Sequence, residues 1–276
     1  MIVDFHCHVF PDKIAAKAVA GLEKSGGQTA VLDVTVSGLA ASMRRAGVGC
    51  SVILPIATKP GQVVSINDFA MAQHRKNGIL AFGSMHPDYE DWAGELARIR
   101  AAGLLGVKLH PDFQGVFVDD PKMVAVMKEA GRLGLMVLLH GGYDVSFPDV
   151  HRSTPRRLAS ILPELSGTTV IAAHLGGYGY LDDVEQLLVG KDLYFDTSFV
   201  IGKFDPDQIK RILTAHPAGR LLFGTDSPWD GQAEAVRSLR ALGLPGPLER
   251  RILGENAADL LAAHGIALPI HEERCC

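Results

Sequence analysis

Cysteine, surplus charge and long apolar runs are all scarce in this chain of 276 residues, and each scarcity excludes something. Four cysteines do not make a disulfide framework in a chain of this length. Cys7 and Cys50 fall in apparent strands or at their edges, where a buried reduced thiol is the usual state, and Cys275 and Cys276 sit in a polar tail. That usage points to the cytoplasm. The net charge of -4, from 31 acidic and 27 basic side chains, provides no cationic surplus for neutralising phosphates, so no nucleic-acid partner is expected. No uninterrupted apolar stretch approaches the roughly 18 residues of a membrane span, so no membrane partner is expected either. A signal peptide is not expected, because Asp4 and His6 interrupt the apolar start. Walker-type loops and Gly-x-Ser-x-Gly elbows are missing, and the glycines of His174-Leu-Gly-Gly-Tyr-Gly-Tyr180 lack the dinucleotide-binding spacing. Those absences remove the commonest rival enzyme classes.

What is present is alternation. Short apolar runs at 2–8, 51–55, 79–85, 106–111, 135–140, 169–174, 193–198 and 221–226 read as strands. Helix-period segments separate them at 12–24, 35–46, 64–76, 91–102, 121–133, 155–165, 182–188 and 207–215. The remainder to residue 263 is mostly helix, broken near Pro245 and Pro247. Ser37 can cap the second helix and Gly47 closes it. No linker, composition shift or charge block divides the chain, so residues 1–276 read as one domain. Eight βα units in this length predict an α/β fold of the (β/α)8 TIM-barrel type, with an open doubly wound sheet as the alternative.

The polar residues fall where such a barrel places its chemistry, at the C-terminal strand ends. His8, His86, His110, His140, His174 and Asp226 each close an apolar run. One terminal histidine would be an ordinary satisfied core residue; a whole set meeting at one mouth needs a partner, because unpaired buried polar groups are costly. A divalent metal is the simple one, since neutral imidazole and carboxylate are its usual ligands. Strand alternation projects His6 and His8 to one face, with Asp4 below them, and turns Cys7 towards the helix layer.

Seven segments together resemble the amidohydrolase superfamily, and within it the amidohydrolase-2 group that includes aminocarboxymuconate-semialdehyde decarboxylase. They are Asp4-Phe-His-Cys-His8, Gly106-Val-Lys-Leu-His-Pro111, Leu138-Leu-His-Gly-Gly142, Ile171-Ala-Ala-His-Leu-Gly-Gly177, Tyr194-Phe-Asp-Thr-Ser198, Leu222-Phe-Gly-Thr-Asp-Ser-Pro228 and Gly254-Glu-Asn-Ala-Ala258. The resemblance covers essentially the whole chain in order. It implies that His6, His8, His140 and Asp226 bind the metal, that Asp226 also handles a proton, and that His174 is catalytic rather than a ligand. It implies zinc as the metal, with manganese as the alternative. The physics agrees, since a divalent ion lowers the pKa of bound water from about 15.7 to about 7 and yields hydroxide at neutral pH.

Lys108 lies two residues before His110 on the same face, about one side-chain layer deeper, which suits a structural role beside Asp4 better than a metal-bridging one. His110 then reads as a substrate contact rather than a ligand for a second ion, so a single metal ion is expected. Asp196 is a candidate acceptor behind a ligand histidine, and Arg152 the best-placed loop cation. His86 is either pocket-lining or structural, whereas His216, His264 and His271 read as surface residues. Specificity should lie in the loops at 59–67, 112–120 and 143–154, with Phe113, Phe117, Tyr143, Phe147 and Trp229 as aromatic wall candidates.

The expected function is metal-dependent hydrolysis of an amide, ester or lactone bond in a small molecule. The alternative is non-oxidative decarboxylation of an unsaturated or aromatic acid at the same site. A barrel that has lost catalysis would show damage to the ligand set, and none is visible. The apolar outer-helix faces allow a homo-oligomer without requiring one.

Overall fold

The computed structural model describes residues 1–268; His271, Cys275 and Cys276 lie outside them. Eight parallel barrel strands run Ile2–Cys7, Val48–Ile53, Ile79–Ala81 continued by Gly83–Ser84, Gly106–Leu109, Met136–Leu139, Val170–Ala172, Tyr194–Asp196 and Leu221–Leu222. The first and last strands close the ring: Phe5 N–H donates to Phe223 O at 2.8 Å and Asp226 N–H to His6 O at 2.9 Å. The fold is the (β/α)8 barrel. Its third strand breaks at Phe82 because the Asn67 side chain captures Ser84, accepting from its N–H at 2.7 Å and donating to its carbonyl at 3.0 Å.

Two apolar layers hold the barrel. Val107, Leu109, Val137, Leu139 and Ala172 face outward and pack on helix residues such as Ile99, Met123 and Leu158. Val3, Phe5, Val52, Phe82, Leu138 and Ile171 fill the interior, which the helix Asn256–Ala263 plugs from below with Ala257, Leu260 and Leu261. A buried Phe or Leu in either layer contributes roughly 1.5–3 kcal/mol. Filled from below, the barrel leaves only its upper mouth for chemistry.

Several local expectations change. Thr35, not Ser37, caps the helix Val36–Ala46, accepting from Gly38 N–H at 3.1 Å, while Ser37 bonds Thr35 Oγ1 at 2.9 Å. His216 is buried rather than on the surface, its ring held between Leu193 O at 3.0 Å and Gly190 N–H at 3.3 Å.

The first strand departs from strict alternation. Its register shifts between Asp4 and Cys7. Phe5 packs edge-on against Phe82 inside the barrel, and His6 also reaches inward, to the mouth. Asp4 therefore does not lie beneath the two histidines. Its carboxylate accepts from Thr225 Oγ1 at 2.7 Å and from Gln232 Nε2 at 2.8 Å; the same amide reaches Cys7 Sγ at 3.8 Å. Asp4 ties the first strand to the last.

Candidate metal centre

Three side chains converge at the mouth. His6 Nε2 and His8 Nε2 are 3.2 Å apart, and Asp226 Oδ1 lies 3.3 Å from the first and 3.1 Å from the second. The opposite ring nitrogens decide where the protons are. His8 Nδ1 faces the Leu54 carbonyl at 2.8 Å and His6 Nδ1 faces Asp196 Oδ2 at 2.8 Å, so both Nδ1 atoms carry the hydrogen. Each Nε2 then presents a lone pair to the other and to an anionic oxygen. A shared proton would serve one pair of these acceptors; a divalent ion serves all three.

The backbone is bent to achieve this. Asp226 sits in the left-handed region at φ 65°, as does His174 at φ 59°, a conformation that costs a non-glycine residue about 1–3 kcal/mol. Hydrogen bonds hold both in place: Asp226 N–H to His6 O, and His174 N–H to Asp196 Oδ1 at 3.0 Å. Gly224 allows the close approach, since a Cβ there would lie 2.9 Å from His6 Cβ.

Behind the trio, Asp196 organises the site. It is fully buried and accepts from His6 Nδ1–H, His174 N–H, Ser198 N–H and Ser198 Oγ–H. Burial would raise its pKa, but these donors and the His6 imidazole outweigh it and hold the carboxyl below the usual range. Asp226 is likewise lowered, burial being outweighed by His6, His8 and His174. Burial and the neighbouring Lys108 bring His6 down to about 3, so its imidazole is neutral and free to ligate.

Lys108 is the correction with most consequence. Its Nζ lies 3.3 Å from His6 Nε2, and Asp4, the partner expected from the sequence, is engaged elsewhere. The ammonium belongs to the floor of the pocket, where burial lowers its pKa to about 8 against the pull of Asp196, Asp226 and Asp144.

His140 is placed apart from the trio. It joins His110 and Asp144 in a second group, its ring stacked on His110 at 4.0 Å, its Nδ1 3.1 Å from His174 Nε2. His174 Nδ1 faces the Ser198 carbonyl at 2.9 Å and so carries hydrogen; His140 Nδ1 then donates to His174 Nε2. That leaves His140 Nε2 buried with an unpartnered lone pair, a costly arrangement that suits a ligand. His110 has nothing to spare. Its Nδ1 accepts from Phe113 N–H at 3.4 Å, and its Nε2 lies 3.4 Å from Asp144 Oδ2. His110 and Asp144 thus form a fixed wall, whereas the first group, with the unpartnered His140 Nε2, fits a metal.

Both groups line one cavity of about 120 Å³, close to the ~150 Å³ void that accommodates a benzene ring. Of the aromatic candidates, Phe113, Tyr143 and Trp229 line it; Phe147 packs behind Phe113, and Phe117 lies under Arg157. Phe10, Tyr178 and Phe199, not singled out from the sequence, complete the aromatic lining. No residue of the 59–67 loop takes part, whereas Leu22 and Gly26 of the first helix do. His86 caps a turn by accepting from Asp88 N–H, and Arg152 lies beside Asp112, so neither reaches the cavity. Asp144 is the ionisable lining residue that sequence reasoning did not single out, as it did not Gln28 or Ser146. It falls in a loop without a motif, and only the fold of residues 143–153 brings it in.

Comparisons with known proteins accord with this layout. The family model described as Amidohydrolase (Amidohydro_2) matches residues 3–262. No curated protein matches the sequence. Among solved structures, an uncharacterised TIM-barrel protein from Bordetella bronchiseptica is similar at TM-score 0.77 and 17% identity, covering 96% of this chain and 99% of its own. A dihydroxybenzoic acid decarboxylase from Polaromonas sp., with bound manganese, has TM-score 0.69 and 14% identity, covering 95% and 96%. A probable 2-pyrone-4,6-dicarboxylic acid hydrolase from Acinetobacter baumannii has TM-score 0.61 and 16% identity, covering 96% and 99%. At such identities the likeness is one of fold.

Proposed function

The chain belongs to the amidohydrolase family, and from that premise we propose that it is a zinc-dependent hydrolase of a small, single-ring amide, ester or lactone. One observation supports it above the others. The lone pairs of His6 Nε2, His8 Nε2 and Asp226 Oδ1 converge at the inner end of a closed-bottomed cavity, with the Lys108 ammonium 3.3 Å from His6 Nε2. Bound by these residues, with His140 as the further donor, a divalent ion supplies Lewis acidity and lowers the pKa of water to about 7.

The chain's own groups do the rest. Asp226 turns Oδ1 to both histidines and keeps Oδ2 for a proton taken from the attacking water. His174, anchored through Nδ1 on the Ser198 carbonyl, has its Nε2 lone pair engaged by His140 Nδ1–H, and would exchange a proton with the leaving group by releasing that hydrogen bond. The aromatic lining holds the ring and excludes bulk water.

A second reading is favoured by Lys108, the only Lys or Arg among the described residues that lines the cavity. An ammonium beside His6 suits a substrate carboxylate, and hence non-oxidative decarboxylation. Product analysis in heavy-oxygen water separates the two, using the zinc-loaded protein on panels of single-ring esters, lactones, amides and carboxylic acids. Hydrolysis incorporates one solvent oxygen into the product and releases no CO2. Stoichiometric CO2 without that incorporation would replace the first reading by the second.

No described helix is long and apolar enough to cross a membrane. Together with the free buried thiols of Cys7 and Cys50, this supports a proposed cytoplasmic location.

A further inference from the structure

Asp144 is a carboxylate in the wall of an otherwise largely aromatic and aliphatic cavity, and neither the metal trio nor the proton-transfer pair uses it. Its side chain is 15% exposed and its position is fixed from two sides. Ser146 N–H donates to Oδ1 at 2.7 Å, and His110 Nε2 approaches Oδ2 at 3.4 Å. His110 is itself locked, stacked on His140 with 14° between the planes and edge-on to Phe113. Because Phe113 N–H occupies His110 Nδ1, the His110 proton sits on Nε2, aimed at Asp144. A carboxylate accepts about four hydrogen bonds. His110 and Ser146 do not exhaust that capacity, so the remaining lone pairs of Asp144 belong to the cavity it lines.

We propose that Asp144, oriented by His110, is the specificity-determining residue of this pocket: it receives a hydroxyl or N–H donor on a single-ring substrate and rejects a carboxylate at that position. The inference rests on the reading of this cavity as the substrate pocket. Its chemistry is one-sided. An ionised carboxylate only accepts, and around it Tyr143, Val145, Leu22 and Phe113 offer little to screen a second negative charge. Among the described residues that line the cavity, the one Lys or Arg, Lys108, is drawn to His6 on the floor, on the side of the metal trio. A substrate acid group is therefore drawn to that floor, and the wall at Asp144 reads a donor.

Three probes test this by calorimetric titration of the full chain, each with and without zinc: benzamide, meta-hydroxybenzamide and meta-carboxybenzamide. The wild-type protein should bind the hydroxyl probe roughly tenfold more tightly than benzamide and the carboxylate probe most weakly, as a hydrogen bond to a charged group implies. Asp144→Asn should erase the hydroxyl advantage and improve the carboxylate probe roughly tenfold; Asp144→Ala should erase the advantage as well. Zinc uptake by both variants, equal to wild type, reports that the barrel is folded. A hydroxyl preference that survives in both variants overturns the proposal, and so does a wild-type protein that binds none of the probes. Donor preference without zinc uptake would instead leave Asp144 in its role and contradict the metal reading alone.

Discussion

Replacing Asp196 by asparagine changes one atom in a residue with no exposed surface, and its effect can be worked out from four hydrogen bonds. Oδ1 accepts from His174 N–H, Ser198 N–H and Ser198 Oγ–H, so the amide oxygen of Asn must take that place. The new NH2 then faces His6 Nδ1, where Oδ2 had been at 2.8 Å. Two donors cannot share that gap. His6 relieves the conflict by moving its proton to Nε2, which withdraws one of the three lone pairs that face the metal. Loss of such a supporting carboxylate typically costs 10–100-fold in metal affinity, about 1.4–2.8 kcal/mol. Removing a charged hydrogen-bond acceptor from the core costs the fold about 1.5–3 kcal/mol as well. Competition with a chromophoric chelator measures the first quantity and denaturant unfolding of the metal-free protein the second. An Asp196→Asn protein that holds zinc as tightly as wild type would refute the tautomer reasoning on which the centre rests.

Asp226→Asn should lower turnover by about 10²–10⁴-fold, the usual worth of a positioned acid–base group, while leaving much of the metal bound; wild-type rates at matched metal content would remove its proton role. Gly224→Ala places a methyl 2.9 Å from His6 Cβ and 3.3 Å from Ser198 Cβ, and should cost about 1–3 kcal/mol together with metal affinity, read by unfolding and chelator competition. For the metal-free protein, His6 has a pKa of about 3 folded against 6.5 free, so the stability from burying it neutral is complete above pH 6.5 and is lost as pH falls towards 3. His110 and His140 shift in the same direction, so the melting temperature should be flat near neutrality and fall steadily through that window; a maximum at pH 4 would contradict the assignment.

The barrel was legible because its signals are local and repeated. Eight apolar runs of strand length, each followed by a helical period, fix the architecture whatever happens at individual boundaries. The strand-end residues His8, His140, His174 and Asp226 were legible for the same reason: a polar side chain ending an aliphatic run marks the mouth. What failed depended on non-local contacts. Parity placed Asp4 beneath His6, but the register shift sends it to Gln232, a residue 228 positions away in sequence. Lys108 was assigned the right face and the wrong partner, because the partner followed from Asp4. Asp144 acts through loop geometry and carries no pattern in the chain. His216 looked like a surface residue beside a helix end, yet both its ring nitrogens are consumed by backbone groups.

Elemental analysis of the purified protein, supplied with zinc and manganese and then desalted, reaches the central claim most directly. One divalent ion per chain is expected in the wild type and none in His6→Ala, His8→Ala or Asp226→Ala proteins that remain folded by circular dichroism. A wild-type chain free of metal, or a metal that persists when the trio is dismantled, would contradict the account.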